Sequence, residues 1–241
     1  QGLQAELSSA ARYLQSVLPA EMAGQVSVST RYLPSNILGG DSFDFYWLDD
    51  DHMVVYLLDV SGHGVESALI AVSVHNMLRS ASFAKETMLE PDRVLAALNQ
   101  QFGMDQHDDN YFTIFYGVYQ RSSATLRYAN AGHPPALLFS GAQVSELSSQ
   151  SCPVGTFDDT SFATATVPLP PGSQMLIYSD GVFELPLDDG GQWSMRDFLD
   201  MCTRLGGSPD WTLDDVLHNV LGHSASGSFD DDCCLVRLSF D

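Results

Sequence analysis

The run HMVVYLLDV, residues 52–60, passes directly into SGHG, residues 61–64. Its nearly continuous apolar character reads as a β-strand covered on both faces, closed by Asp59 and followed by a glycine-flanked turn. Upstream, QVSVSTRYL (25–33) alternates with period 2 and FDFYWL (43–48) gives a second strand-like run, with Asp49-Asp50-Asp51 as a solvated hairpin tip between it and the apolar run. Downstream, the pattern predicts helices over about Glu66–Ser82 and, behind Pro91 in a first-turn position, Asp92–Phe102.

Further along, Tyr111–Gln120, Ala124–Asn130, Pro135–Phe139, Phe162–Val167 and Gln174–Ser179 read as strands between Gly, Pro, Asn and Ser punctuation. Helices return at Ser194–Leu205 and Leu213–Leu221, and CCLVRLSF (233–240) is a last strand. Strands in consecutive runs with paired helices between and after them imply an α+β fold of antiparallel sheets covered by helices, not alternating βαβ units. At the N-terminus, Leu3, Leu7, Ala10, Leu14 and Val17 or Leu18 recur at steps of three and four, an amphipathic helix stopped by Pro19. With no repeat, low-complexity tract or linker, the chain divides into a helical extension, 1–20, and one domain, 21–241. The apolar stripe of the extension must pack on the core, on a second copy in a homodimer, or on an upstream domain, and a regulatory role is expected of it.

Composition excludes several classes of function. Lys and Arg number 10 against 31 Asp and Glu, a formal net charge of −21 in 241 residues, which argues against a binder of the nucleic-acid backbone. The most apolar stretch, Met53–Val60, is far shorter than the roughly 18 residues of a membrane span. The opening QGLQAELSS has no basic n-region and so is no signal peptide, and the absent initiator Met reads as a piece of a longer polypeptide. Cys152, Cys202, Cys233 and Cys234 form no CxxC pair, which suits neither a zinc site nor a disulfide framework and points to the cytoplasm.

The chemistry lies in the acids at strand ends. Asp41 follows Gly39-Gly40 just before a strand, Asp59 ends the most apolar strand, Asp180 ends QMLIYS and precedes Gly181, and Asp231-Asp232 precede the last strand. A carboxylate partly withdrawn from water there needs a partner, and no Lys or Arg stands within two residues of these acids. Oxygen donors without nearby Cys or His favour Mg²⁺ or Mn²⁺, and two such ions about 4 Å apart can activate a water for in-line attack on phosphorus. Taken singly, an Asp-Gly after a strand is a surface turn. Asp108-Asp109, Asp158-Asp159 and Asp188-Asp189 read as solvated acids, His63 and His133 as loop residues that hydrogen-bond locally, and one of Cys233 and Cys234 as a small core residue.

Taken together, GGDSFDF (39–45), DVSGHG (59–64), NAGHPPALL (130–138), PVG (153–155), YSDGVFE (178–184) and DDCCLV (231–236) resemble, in order and spacing, the PPM-type serine/threonine phosphatases of the bacterial SpoIIE-like branch. AARYLQSVLP, 10–19, is similar to the helix and turn that precede the catalytic core there. The resemblance implies an αββα sandwich of two antiparallel sheets flanked by helices, and hydrolysis of phosphoserine or phosphothreonine on a partner protein by a hydroxide bridging two metal ions. It implies a metal ligand at Asp41, a bridging carboxylate at Asp59, the Val60 carbonyl as a donor, and Asp180 and Asp231 completing the set, with Asp44, Asp232 and His63 in supporting roles. The choice of Asp231 over Asp230 or Asp232 depends on the alignment of Leu235-Val236, and Cys234 stands where the motif usually has Thr. DVSGHG is longer than the DGHG of the eukaryotic type 2C enzymes, so His63 need not occupy the same place. The resemblance further implies a phosphorylated STAS-type antagonist of an anti-sigma factor as substrate, and a sensory or receiver domain upstream on the same chain. The alternatives are a catalytically silent phosphatase-fold interaction module and a hydrolase of small phosphoesters.

Overall fold

The computed structural model describes residues 11–34, 38–80, 82–103, 110–141, 143–148, 151–187, 191–206, 208, 210–224 and 227–241. Residues 11–17 form a helix, α1, along which Ala11, Leu14 and Val17 are half-buried while Tyr13 is exposed. The first part of the expected amphipathic helix, with Leu3, Leu7 and Ala10, lies outside the described residues, as do Asp108-Asp109 and Asp188-Asp189. The elements that follow are β1 (Val26–Leu33), β2 (Asp41–Trp47), β3 (His52–Val60), α2 (Val65–Arg79), α3 (Lys85–Met88), α4 (Pro91–Gln101), β4 (Phe112–Gln120), β5 (Thr125–Ala131), β6 (Ala136–Ser140), β7 (Gln143–Leu147), β8 (Ala165–Pro168) and β9 (Gln174–Tyr178). A 3-10 turn (Asp180–Val182), α5 (Met195–Leu205), α6 (Leu213–Leu221) and β10 (Cys233–Phe240) complete the order.

The chain forms two compact units, each a five-stranded antiparallel sheet with its own helices. Unit 1 comprises Gln1–Ala20, Ile37–Pro135 and Ser148–Leu169, with strand order β2-β3-β4-β5-β8. The apolar run that decides the fold is β3, hydrogen-bonded to β2 on one side and β4 on the other. Its even-numbered residues Val54, Tyr56 and Leu58 share a core with Ile70, Val74 and Leu78 of α2 and with Val94, Leu95 and Leu98 of α4. Val55 and Leu57, on the opposite face, are buried too, which is why the strand shows no polar alternation. Pro91 opens α4 where its missing N–H costs nothing.

Unit 2 comprises Glu21–Asn36, Ala136–Leu147 and Pro170–Asp241, with strand order β1-β10-β9-β6-β7. Leu176, Tyr178 and Leu235 pack with Phe198 and Leu199 of α5 and Val216 of α6 in a second core. Both helices begin with reciprocal capping boxes, Ser194 with Asp197 and Thr212 with Asp215. Among the described residues no helix is long and apolar enough to cross a membrane. Among the described residues, β7 and α3 lack a counterpart in the sequence pattern. Strand β7 is an edge strand with only Leu147 buried, and α3 is a single turn.

Candidate metal centre

In unit 1 the acids at the ends of β2 and β3 meet by register. Asp41, the first residue of β2, is the antiparallel partner of Asp59, next to last in β3, so the two side chains leave the same face of the sheet. Asp41 is buried, at 7% exposure, and Asp59 is half-buried. Like charges directly opposite one another repel, and a cation between them reverses the sign of that interaction. Gly40 brings a main-chain oxygen to the same place. A Cβ at residue 40 would stand 2.8 Å from the Val60 carbonyl oxygen and 3.3 Å from the Ser67 Cβ, so only glycine lets β2, the end of β3 and the start of α2 approach this closely. Asp41, Asp59 and the Val60 carbonyl thus lie at one end of the β2–β3 ladder.

Asp44 is set apart from that pair. Three residues along β2 from Asp41, it falls on the opposite face, toward α2, and is 1% exposed. Arg79 Nε lies 3.2 Å from its Oδ2 as an ion pair, His75 Nε2 is 4.0 Å away, and the Arg79 guanidinium covers the Tyr46 ring at 4.3 Å. Burial pushes the Asp44 carboxyl up to about 6 against the opposing pull of Arg79. His75, which shares a 3.0 Å hydrogen bond with the Tyr56 hydroxyl, is held below the usual imidazole range by burial and by Arg79. Asp44 therefore serves a buried network between β2 and α2 and does not stand beside Asp41 and Asp59. His63 is exposed in the turn before α2.

In unit 2 the acids lie at one end of the paired strands β9 and β10. Ser179, fully buried, stitches that end together: its N–H donates to the Cys234 carbonyl (3.1 Å), its hydroxyl accepts from the Cys234 N–H (2.9 Å) and donates to the Asp232 carbonyl (3.2 Å). The backbone at Cys234 is thus held by Ser179, whatever side chain stands there. Cys233 and Cys234 are both fully buried, Cys233 in the core beneath α5 and α6. Asp180 opens the 3-10 turn, and a Cβ at Gly181 would fall 2.1 Å from the Asp232 carbonyl oxygen, so the Asp-Gly pair is a point of close backbone approach as well as a turn. Asp231 is exposed and its Oδ1 accepts from the Asp232 N–H at 2.7 Å, whereas Asp232 is buried.

Glu184, quoted in YSDGVFE but given no role by sequence, joins this cluster. Its backbone N–H donates to the Asp180 carbonyl at 3.1 Å. Its side chain is exposed, and partial withdrawal from water, followed by the charges of Asp180 and Asp231, holds its carboxyl above the usual range. Its place four residues after Asp180, one turn on, is the signal that identifies it. An open cleft of about 380 Å³ is lined by Glu184, Pro186, Gly191, Gln192 and Asp230.

Among the described residues no three His, Cys, Asp or Glu side chains close on a single point. Each unit instead presents a pair of strand-end carboxylates with a main-chain carbonyl brought close by a glycine. That donor set is entirely oxygen, which fits hard divalent ions that retain water ligands and does not fit zinc in a structural site.

The family model described as Stage II sporulation protein E (SpoIIE) matches residues 49–241. The chain belongs to the SpoIIE family. The PPM-type, SpoIIE-like relationship expected from the six motifs is thereby established, with Asp41 and Asp44 just before the matched span. Phosphoserine phosphatase RsbP of Bacillus subtilis (strain 168) is 32% identical over 165 residues, covering 66% of this chain and 40% of RsbP. Phosphoserine phosphatase RsbU of the same organism is 24% identical over 194 residues, covering 79% of this chain and 57% of RsbU. This SpoIIE-family chain therefore spans about two fifths to three fifths of the length of these relatives. Among solved structures, the SiaA-PP2C domain of Pseudomonas aeruginosa superposes with a TM-score of 0.86 at 20% identity, covering 100% of this chain and 98% of that one. That similarity establishes the fold: two antiparallel sheets with flanking helices, as the resemblance implied.

Proposed function

We propose that this chain is a metal-dependent protein serine/threonine phosphatase, and that Asp41, Asp59, the Val60 carbonyl, Asp180 and Asp231 hold two divalent ions, Mn²⁺ or Mg²⁺, with Asp59 shared between them. The observation that carries the reading is the register that sets Asp41 against Asp59 with the Val60 carbonyl beside them. The RsbP and RsbU relatives, both named phosphoserine phosphatases, support the reaction class. When bound, such ions make water a strong nucleophile at neutral pH and neutralise charge on a phosphoryl group. The chain's own part is to fix the donors: Gly40 and Gly181 admit the backbone approaches, and Ser179 holds the loop of Asp231 and Asp232 to that of Asp180. No nucleophilic side chain and no covalent phosphoenzyme is required.

The substrate we propose is a phosphorylated STAS-type antagonist of an anti-sigma factor, dephosphorylated in the cytoplasm under the control of a sensory or receiver domain on the same polypeptide. The half-buried stripe of α1 is the proposed route of that control, through the upstream domain or a homodimer. Incubating the protein with phosphorylated STAS-type proteins from the same genome tests this. Turnover with Mn²⁺ that EDTA abolishes and added Mn²⁺ restores is the expected result. Full turnover in excess EDTA would reject the metal reading, and binding without turnover under all metals would mark a silent interaction module.

A further inference from the structure

The acid pair of unit 1 does not end the row to which it belongs. Asp59 is the registered partner of Asp41 on one side and of Thr113, on β4, on the other, so all three side chains leave one face of the sheet. Thr113 in turn shares a 2.9 Å hydrogen bond between its Oγ1 and Nδ1 of His133. His133 is buried, at 6% exposure, in the NAGHPP loop, which has no part in the site described above.

That loop is built to fix one imidazole. The Asn130 side chain, 1% exposed, accepts from the His133 N–H at 2.8 Å and donates to the His133 carbonyl at 2.9 Å. Gly132 takes a left-handed φ of +66°, and a Cβ there would stand 2.6 Å from Cγ of Pro153, so Pro153 of the PVG motif packs directly on the turn. Ala131 forms a parallel bridge with Ser151 just before that Pro. Two quoted motifs without an assigned role, NAGHPP and PVG, thus converge on the orientation of His133.

We infer that Thr113 and His133 are positioning residues for the metal-binding acids. The clamped imidazole sets the rotamer of Thr113, and Thr113 presents its hydroxyl to the carboxylate of Asp59 on the neighbouring strand. Partners one bond removed from a metal orient its ligands, and their loss costs about 10- to 100-fold in metal affinity. Exposed His63 has no comparable scaffold. The inference rests on the assignment of Asp59 as a ligand.

The test is direct Mn²⁺ binding to metal-stripped protein, by calorimetry or electron paramagnetic resonance, alongside turnover and circular dichroism. Wild type should bind Mn²⁺ and Asp59→Asn should lose that binding. Thr113→Val, which keeps the side-chain shape, should weaken binding by about 10- to 100-fold, and Thr113→Ser should restore it. His133→Ala should weaken binding similarly, and adding it to Thr113→Val should cost little more, because one residue acts through the other. If His133→Ala does not fold, the Thr113 variants carry the test alone. Unchanged Mn²⁺ affinity in folded Thr113→Val, with binding lost in Asp59→Asn, overturns the inference and leaves the metal reading intact. No Mn²⁺ binding by wild type overturns both.

Discussion

Arg79 reaches back from the last turn of α2 to place its Nε 3.2 Å from the buried carboxylate of Asp44 in β2. Ser67, at the other end of the same helix, packs against Gly40. The helix that follows the DVSGHG turn is therefore fastened to β2 at both ends, and the Asp44 network is structural support on the face of β2 away from Asp41. Burial raises the Asp44 carboxyl from its ordinary 3.8 to about 6, so the folded protein holds that proton more tightly than the unfolded chain does. The associated stability is complete below about pH 4 and is lost as pH rises through about 6. Asp44→Asn cannot ionise, and Arg79, its side chain 46% exposed, turns to water at a pH-independent cost. The unfolding free energy of Asp44→Asn relative to wild type should therefore rise between pH 4 and pH 7, by roughly 3 kcal/mol at most. Denaturant titrations across that range measure it, and a flat difference would show that Arg79 fully compensates the burial.

Asp59→Asn should lower phosphatase turnover by at least about 10²-fold, because an amide cannot supply the charge of a bridging carboxylate. With Asp41 directly opposite, neutralising one of the two acids removes repulsion in the metal-free protein, so its melting temperature should hold or rise. Asp50→Asn, at the exposed hairpin tip, should change neither quantity. Equal loss of activity in both variants would reject the bridging role.

The sequence pattern exposed what one strand or one turn encodes locally. Strand β3 was legible because its central place buries both faces, and Asp41, Asp59 and Asp180 stood out as candidates because an acid at the end of a strand needs a partner, whereas the choice of Asp231 over its neighbours came from the resemblance alone. Strand β7 was hidden because an edge strand with a single buried side chain has no apolar signature, and α3 because one turn has no period. The separation of Asp44 from Asp41 follows from simple alternation along β2, but its pairing with Arg79 needs the packing of α2. The partnership of Asp59 with Thr113, and of Thr113 with His133, depends on register between strands far apart in sequence. A single chain read residue by residue does not carry that register.

Gly181→Ala tests the backbone approach in unit 2. Its Cβ would meet the Asp232 carbonyl oxygen at 2.1 Å, and main chain on both sides must move to make room. A cost of about 1–3 kcal/mol in stability is expected for such overpacking. The shift also separates Asp180 from the loop of Asp231 that Ser179 holds in place, so turnover should fall about 10²-fold, the order expected for a misplacement near 1 Å. Differential scanning calorimetry and steady-state kinetics check the two effects. A variant with wild-type turnover would show that Gly181 serves the turn alone.

Glu184 gives the last prediction, because its proton should report on the metal. Partial withdrawal from water and the charges of Asp180 and Asp231 hold its carboxyl above the usual range in the metal-free protein, so it keeps its proton to higher pH than an ordinary glutamate does. The same raised value means that its contribution to stability fades as pH rises through it, and Glu184→Gln should flatten that part of the pH–stability profile. A divalent ion on Asp180 and Asp231 cancels the two negative charges that raise the Glu184 carboxyl, so Mn²⁺ binding should favour loss of its proton. Calorimetric titrations with Mn²⁺ over a series of pH values, in buffers of different ionisation enthalpy, count the protons released. Wild type should release more than Glu184→Gln, and the gap should close as pH rises and Glu184 ionises before the metal arrives. Equal release by the two proteins at every pH would mean that the metal is held away from Glu184, and would remove Asp180 and Asp231 from the proposed ligand set.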